Sequence, residues 1–263
     1  MQDSQKGANF VQMLRENTVF GPIKSRRLGW SLGINLLPTK GKICNFDCIY
    51  CECGWNADGR EDLRMPSAKE VHDSLKMKLE DILLNNTHID SITFSGDGEP
   101  TLNPEFGAII EDTILLRDTF YPKAKISVLT NATRLLEDSV FNALKKVDAP
   151  ILKLDAPSDE LAKIINGALP SYKIEDVIKG IIRFNGDFIL QTMFLKAPSF
   201  DSLKPDVLHD WMNIVRRIKP RLIMAYTIAR PTPATGLLPY SEGQIAEALK
   251  PLADEGFKIQ INC

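Results

Sequence analysis

The sequence predicts a single α/β domain built as a partial (β/α)6 barrel, with parallel strands inside and helices outside. Apolar, strand-like segments alternate with amphipathic helical segments along most of the 263 residues. Strands that alternate with helices in this way are parallel, because parallel neighbours need helical crossovers rather than tight turns. The alternating units are too few to close an eight-fold barrel. We therefore expect an open barrel rather than a flat, doubly wound sheet.

Each element is predicted from its local pattern, and each barrel strand is followed by a helix. The predicted strands are 31–37, 91–95, 125–130, 151–155, 188–195 and 222–228, with a short last strand at 257–261. The first helix begins after Ser67, which forms a capping box with Glu70, and its apolar residues stand four apart. The other predicted helices are 105–117, 137–146, 158–165, 174–184, 204–218 and 243–253. The segment up to Phe20 is expected to be helical, and either to cap the open barrel or to be mobile.

The domain is expected to span 1–263, with an N-terminal extension at 1–30, a barrel core at 31–229 and a C-terminal segment at 230–263. The formal net charge of -2 gives no overall attraction to nucleic acid or to an anionic membrane. No segment approaches the roughly 20 apolar residues of a membrane helix, and the polar first residues lack the apolar core of a secretory signal. We therefore expect a cytoplasmic protein with no membrane partner.

Four of the five cysteines lie between positions 44 and 53, which is too crowded for a disulfide framework and indicates a metal. The run CNFDCIYC places Cys44, Cys48 and Cys51 on one loop after a strand. Three thiolates can bind three irons of a 4Fe–4S cluster and leave the fourth iron open to a small ligand. The alternative is structural zinc bound by the same thiols and Cys53, although zinc sites usually join two separated ligand pairs.

The cysteine spacing, with Tyr50 directly before the third cysteine, resembles the motif of the radical S-adenosylmethionine (radical SAM) superfamily. One β/α unit downstream, the turn SGDGEPTL resembles the GGEP motif of that superfamily at Gly98, Glu99 and Pro100. Asp97 stands where the first glycine of that motif is usual. The third strand ends in the sequence LTN, similar to the TNG or TNA end of the corresponding strand in the superfamily. The expected fold is therefore the partial barrel of the radical SAM type.

The resemblance implies a 4Fe–4S cluster and S-adenosylmethionine (SAM) as cofactors, and reduced flavodoxin or ferredoxin as the electron donor. Cys44, Cys48 and Cys51 would be the metal ligands and form the catalytic centre. The implied activity is reductive cleavage of SAM to a 5′-deoxyadenosyl radical that abstracts hydrogen from a substrate. Tyr50 is expected beside the adenine of SAM and Glu99 near its ammonium group. The residues expected to bind the cofactor are Tyr50, Gly98, Glu99, Pro100, Asn131, Asp155 and Gln191.

The stretch GPIKSRRLG at 21–29 also resembles a subgroup related to the wyosine-base tRNA-modifying synthetases. Those enzymes carry further cysteines upstream for a second cluster, whereas no cysteine precedes Cys44 here, which counts against transferring their reaction. An RNA base is one candidate substrate, with Arg26 and Arg27 as phosphate-binding groups. A peptide or a small metabolite is the second candidate substrate. The third hypothesis is that the protein is a non-catalytic metal-binding scaffold.

The fourth predicted strand carries a charged pair that also concerns the substrate. Period-two alternation places Lys153 and Asp155 on one face of this strand. The pair is either a structural ion pair or a part of the cavity, and the cavity is favoured because perturbed charged groups cluster at active sites. Tyr226, on the sixth strand, is a further candidate substrate contact.

Overall fold

A computed structural model of the protein describes residues 14–25, 27–58 and 63–263. In chain order its strands are β1 (Val19–Ser25), β2 (Gly29–Ile34), β3 (Ser91–Phe94), β4 (Lys125–Thr130), β5 (Ala149–Lys153), β6 (Ile189–Met193), β7 (Leu195–Ala197), β8 (Phe200–Asp201), β9 (Leu222–Tyr226), β10 (Leu238–Pro239) and β11 (Ile259–Asn262). The helices are α1 (Ala68–Leu84), α2 (Phe106–Phe120), α3 (Asp138–Leu144), α4 (Asp159–Asn166), α5 (Ile174–Ile182), α6 (Pro205–Ile218) and α7 (Glu242–Asp254). A 3₁₀ turn, Pro100–Leu102, follows β3.

The main sheet is open and has the strand order β1-β2-β3-β4-β5-β6-β9-β11. From β2 to β11 all neighbours are parallel, and only β1 is antiparallel to its neighbour β2. In a flat sheet, β2 and β9 would lie about 24 Å apart, since adjacent strands are about 4.8 Å apart. Residues of all six strands from β2 to β9 nevertheless line one cavity of about 90 Å³. The sheet is therefore curled around this cavity, which confirms the predicted partial barrel.

The hydrophobic core lies mainly between the outer face of the sheet and the helices. Leu152, Leu190 and Ile223 stand in register on three neighbouring strands and belong to this core. Helix α1 begins at the predicted capping box of Ser67 and Glu70. A smaller apolar cluster, which includes Ile151 and Met224, lies on the inner face. In the described part of the chain, no helix combines the length and the apolar character needed to cross a bilayer.

The sequence predictions differ from the structure at two places: the N-terminal segment and a second, small sheet. Residues 14–20 are not helical, because Val19 and Phe20 start β1 and pair with Ile34 and Gly33 of β2. The ring of Phe20 lies over Gly33, where any Cβ would overlap it, so this hairpin covers one side of the barrel interior. Residues 1–13 of the predicted helix lie outside the described residues. The second sheet, of order β10-β7-β8, was not predicted because its strands are only two or three residues long.

Candidate active site

A cavity of about 280 Å³ opens at the carboxyl ends of the parallel strands, between these ends and the cysteine loop. The predicted site residues that line it are Arg27, Cys44, Cys48, Tyr50, Cys51, Gly98, Glu99, Asn131, Lys153, Gln191 and Tyr226. Asp155 and Pro100 lie behind this lining and are buried. Arg26 lies outside the described residues. The curled sheet thus brings together side chains that stand as much as 199 positions apart in the sequence, from Arg27 to Tyr226.

The cysteine loop is attached to the segment after β3 by backbone hydrogen bonds. Ile43 forms a parallel bridge with Gly98: the Ile43 amide donates to Asp97, and the Glu99 amide donates to Ile43. Gly98 has a φ of 142°, a conformation that favours glycine. A Cβ at this position would lie 2.5 Å from the carbonyl carbon of Ile43 and closer still to its oxygen. Gly98 is therefore required for the close approach of the two motifs.

Two residues inside the cysteine loop hold its shape. The side chain of Asn56 accepts from the Cys44 amide at 3.0 Å and donates to the carbonyl groups of Cys44 and Phe46 at 3.0 and 2.9 Å. Lys42 is 1% exposed, and its Nζ donates to Asp47 at 2.9 Å and to the carbonyl oxygen of Gly54 at 3.0 Å. These contacts close the loop upon itself. Sequence reasoning missed both residues, because an asparagine in a loop and a lysine after a strand are usually solvated.

The three thiols face polar donors and buried cations. The Phe46 amide donates to Cys44 Sγ at 3.4 Å, and the Asn166 side chain donates to Cys48 Sγ at 3.4 Å. Burial raises the pKa of the Cys44 and Cys48 thiols. A hydrogen bond from Cys53 lowers the pKa of Cys51 to about 6 against the effect of burial. Burial alone would lower the pKa of the Lys42 ammonium, but the three nearby thiols and Asp47 raise it.

Glu99 lies opposite the thiols and is 2% exposed. Its Oε1 accepts from the Thr101 and Thr130 hydroxyl groups, each at 2.6 Å, and its Oε2 accepts from the Asn131 amide at 2.8 Å. Burial raises the pKa of this carboxyl group against these hydrogen bonds. The Asn131 side chain donates to Asn45 at 2.5 Å and approaches Cys44 Sγ at 3.7 Å. Glu99 is thus fixed by neutral donors and has no cation among its hydrogen-bond partners in the described residues.

Asp155 is held behind the cavity wall by several donors. Its Oδ1 accepts from the Met193 amide at 2.9 Å, and its Oδ2 accepts from Asn166 at 2.7 Å and from the hydroxyl group of Tyr50. Lys153 Nζ lies 3.6 Å from Oδ2 and faces the cavity. These contacts position the rings and cations around Asp155, whereas its own carboxylate does not line the cavity.

The remaining cations and polar groups lie on the inner side of the cavity. Lys153 Nζ donates to the Tyr226 hydroxyl group at 2.5 Å and lies 5.0 Å from the ring centroids of Tyr50 and Tyr226. The guanidinium carbon of Arg27 lies 4.9 Å from the Tyr226 centroid. Gln191 is paired in register with Lys153 and lines both this cavity and the inner cavity of about 90 Å³.

The chemistry of these residues fits a 4Fe–4S cluster with three protein ligands. The thiol sulfurs meet an amide hydrogen and side-chain amides, which are the donors that commonly tune such clusters. Lys42 and Lys153 supply buried positive charge near the thiols. In the described residues, no group of three His, Cys, Asp or Glu side chains is arranged around a single metal ion. A cubane does not need that arrangement, because each thiolate binds a different iron.

Comparison with known proteins assigns the fold and the motifs to one family. The family model described as Radical SAM superfamily matches residues 39–196. A protein of Brachyspira hyodysenteriae named GTPase Obg is 32% identical over 223 residues, which cover 83% of this chain and 31% of that protein. UPF0026 proteins of Methanocaldococcus jannaschii and Helicobacter pylori are 33% and 34% identical, over 67% and 70% of this chain and 53% and 59% of theirs. The chain thus spans from about a third to three fifths of the length of these relatives.

Solved structures share the fold at low sequence identity. A radical SAM methyltransferase from Sphaerobacter thermophilus has a TM-score of 0.66 at 16% identity, covering 88% of this chain and 65% of that chain. Streptococcus suis SuiB bound to S-adenosylmethionine has a TM-score of 0.63 at 17% identity, covering 88% and 50%. TYW1 with a lysine-pyruvate adduct bound has a TM-score of 0.60 at 15% identity, covering 86% and 74%. These matches support the half-barrel architecture.

Proposed function

This chain belongs to the radical SAM superfamily, and we propose that it abstracts hydrogen from a compact substrate held inside the curled sheet. Enzymes of this superfamily use a 4Fe–4S cluster and SAM. One observation carries the proposal: Cys44, Cys48 and Cys51 line a single cavity together with Glu99, from the turn after β3, and Gln191, from β6. That placement puts metal ligands, a buried carboxylate and polar contacts at the edge where parallel α/β sheets bind ligands.

The position of each residue in the cavity suggests its role in binding the cluster or SAM. When bound, the cluster and SAM supply the 5′-deoxyadenosyl radical. Cys44, Cys48 and Cys51 would hold the cluster, with Lys42 and Lys153 offsetting the negative charge of the thiolates. Glu99 would accept the ammonium group of SAM, since its Oε2 accepts one hydrogen bond and an ionised carboxylate oxygen can take more. Tyr50, Gly98, Asn131 and Gln191 would shape the rest of the SAM site, with Pro100 and Asp155 supporting them from behind.

A compact substrate fits the inner cavity best. This cavity shares Arg27, Ser95, Leu129 and Gln191 with the larger one, so a group placed there lies next to the cofactor site. Its volume of about 90 Å³ is close to that of three liquid water molecules, which suits a small molecule or a single inserted group.

Modification of an RNA base is the second candidate function. The stretch at 21–29 resembles the wyosine-synthetase-like subgroup, and Arg27 from that stretch lines the cavity. Under this hypothesis the chain is a member of that subgroup. The target base would be flipped out of the RNA and enter the cavity, as in other enzymes that modify bases. Either reaction needs the cluster to be reduced by one electron before SAM is cleaved, and we propose reduced flavodoxin or ferredoxin as the donor in a cytoplasmic setting.

Anaerobic reconstitution of the wild-type chain and of two matched variants tests the proposal. We expect about four irons and four sulfides per wild-type chain, and 5′-deoxyadenosine after reduction by dithionite in the presence of SAM. Cys48→Ala should lose the product, because Cys48 lines the cavity, whereas Cys263→Ala should keep it, because Cys263 is exposed at the chain end. Bound zinc without iron, or iron without 5′-deoxyadenosine, would contradict the proposed activity.

A further inference from the structure

We propose that Arg27 binds a carboxylate or phosphoryl group of the substrate in the inner cavity, so that the substrate is a compact oxyanion. This inference rests on the proposed function and adds the chemical class of the molecule on which it acts. Three features of the site support it: the position of the Arg27 guanidinium, its unused hydrogen-bonding capacity and the distribution of charge around it.

Arg27 lies between the two cavities. It follows β1 in the turn of the hairpin and lines the cavity of the thiols as well as the inner cavity. Its guanidinium carbon lies 4.9 Å from the centroid of the Tyr226 ring, which holds the planar group in place by a cation–π contact. An anion bound by Arg27 would therefore lie beside the cofactor site.

The guanidinium of Arg27 has donors to spare. Its Nη1 is buried and has no hydrogen-bond partner within the part of the chain that the structure describes. Within 14–25, 27–58 and 63–263, Arg27 also forms no ion pair with an acidic side chain, in contrast to the surface arginines such as Arg216 and Arg217. A buried polar group without a partner destabilises the folded protein, and a charged group does so more strongly. A ligand that accepts from Nη1 would remove this cost.

The inner cavity is suited to an anion. Arg27 is the one charged residue among the described residues that line it, and no aspartate or glutamate is among them. Ser25, Ser31, Thr93 and Ser95 add hydroxyl groups to the lining, and Gln191 adds a side-chain amide. A guanidinium presents parallel N–H donors to a carboxylate or phosphate, which is why arginine is favoured for such groups.

Lys153 adds a second positive charge beside the hydroxyl group of Tyr226. Its Nζ lies 5.0 Å from the Tyr226 centroid and 2.5 Å from the hydroxyl oxygen. Asp155, behind the cavity wall, lies 3.6 Å from Lys153 and offsets part of its charge, whereas Glu52 on the rim pairs with Arg230 at 2.6 Å. Arg27 therefore brings to the inner cavity a positive charge that is unpaired among the described residues, while Glu99 brings negative charge near Cys44.

Ligand-observed NMR titration tests this assignment independently of turnover. The reconstituted protein is kept oxidised, with SAM present, and titrated with propionate, methylphosphonate and the neutral isostere propionamide. The variants are Arg27→Gln and, as a matched control, Arg217→Gln, which changes an exposed arginine paired with Glu175 on the outer helices. Circular dichroism and SAM binding verify that each variant is folded.

We expect the wild type and Arg217→Gln to bind propionate or methylphosphonate at least tenfold more tightly than propionamide, and Arg27→Gln to lose this preference. A stronger signal for propionate indicates a carboxylate substrate, and one for methylphosphonate a phosphoryl substrate. Equal binding of the oxyanions and the amide by the wild type, or an unchanged preference in Arg27→Gln, would overturn the assignment. An oxyanion preference that appears only in a parallel titration without SAM would also overturn it, since Arg27 would then bind the carboxylate of SAM. Because no reductant is present, these results do not depend on SAM cleavage.

Discussion

Replacement of Gly98 by alanine tests whether the approach of the cysteine loop to the segment after β3 is needed for cluster binding. Gly98 has a φ of 142°, where an alanine costs about 1–3 kcal/mol. The added Cβ would lie 2.5 Å from the carbonyl carbon of Ile43, against an ordinary contact distance of about 3.4 Å or more. Since the obstacle is backbone, no side-chain rotation relieves the overlap, and overpacking adds about 1–3 kcal/mol.

The costs of the backbone conformation and of the overlap add to about 2–6 kcal/mol, a large part of the roughly 5–15 kcal/mol by which a typical domain is stable. The chain can relieve it by breaking the hydrogen bonds between Ile43 and the segment 97–99, which moves Cys44, the residue after Ile43. We therefore expect Gly98→Ala to lower the melting temperature by about 5–20 °C, and to bind less than half of the wild-type iron.

The assay is a thermal melt together with iron and sulfide analysis after anaerobic reconstitution. Gly107→Ala is the matched control: Gly107 lies in helix α2, and a Cβ there would meet no atom within 4 Å. This control should melt at or slightly above the wild-type temperature, because alanine favours a helix by about 1 kcal/mol over glycine. Wild-type stability and iron content in Gly98→Ala would refute the reasoning.

Three further variants test the contacts around the thiols. Asn56→Ala removes three hydrogen bonds in the cysteine loop and should lower the free energy of unfolding by about 2–3 kcal/mol in a thermal or urea melt. An unchanged midpoint would show that Asn56 does not stabilise the loop. Lys42→Met removes the buried cation and should reduce iron retention during dialysis at least twofold, whereas Lys78→Met on the surface of α1 should not. Burial raises the pKa of Asp97 to about 6, so stability falls as the pH rises from about 4 to 6 and then levels off. In cluster-free protein, the free energy of unfolding of the wild type should fall over this pH range by up to about 3 kcal/mol more than that of Asp97→Asn. If the melting temperatures of the two proteins change with pH in parallel, Asp97 is not the source of the fall.

Local sequence patterns predicted the parts of the fold that depend on local chemistry. The capping box at Ser67, the six central strands and the three cysteines each involve residues close in sequence. The β1–β2 hairpin was missed because its strand contains Gly21 and Pro22, which usually end regular structure, and its register shifts between Phe20 and Ile23. Helix was predicted there instead, and the structure corrects it.

The contacts within the site depended on long-range packing and could not be predicted in the same way. Asn166 donates to both Cys48 and Asp155, yet in the sequence it is one polar residue at the end of a helix. Lys42 is buried only because Asp47 and the carbonyl group of Gly54 fold back over it. Arg27 was predicted to bind phosphate as part of the stretch at 21–29, but the sequence could not show that its guanidinium lines the cavity inside the curled sheet.

Lys153, the last residue of β5, and Asp155, just after it, combine a structural contact with a cavity group. Asp155 is buried behind the wall, where Tyr50, Asn166 and the Met193 amide donate to it. Burial alone would lower the pKa of Lys153, but the nearby Asp155 carboxylate and the Tyr226 hydroxyl group raise it. Lys153 therefore stays protonated at neutral pH and is unsuited to act as a nucleophile or a general base, which would need the free amine.

A permanent cation in this position has an electrostatic consequence for the substrate. Lys153 stands between the rings of Tyr50 and Tyr226, and Arg27 lies over the Tyr226 ring. Rigid rings and a buried carboxylate thus hold the Lys153 ammonium, so little reorganisation is needed when a ligand arrives. In the proposed arrangement, Glu99 would offer a negative group to the ammonium of SAM, and Arg27 and Lys153 would offer positive groups to the substrate. A substrate bound with its anion toward Arg27 would therefore have one orientation, and this orientation selects which hydrogen faces the cofactor.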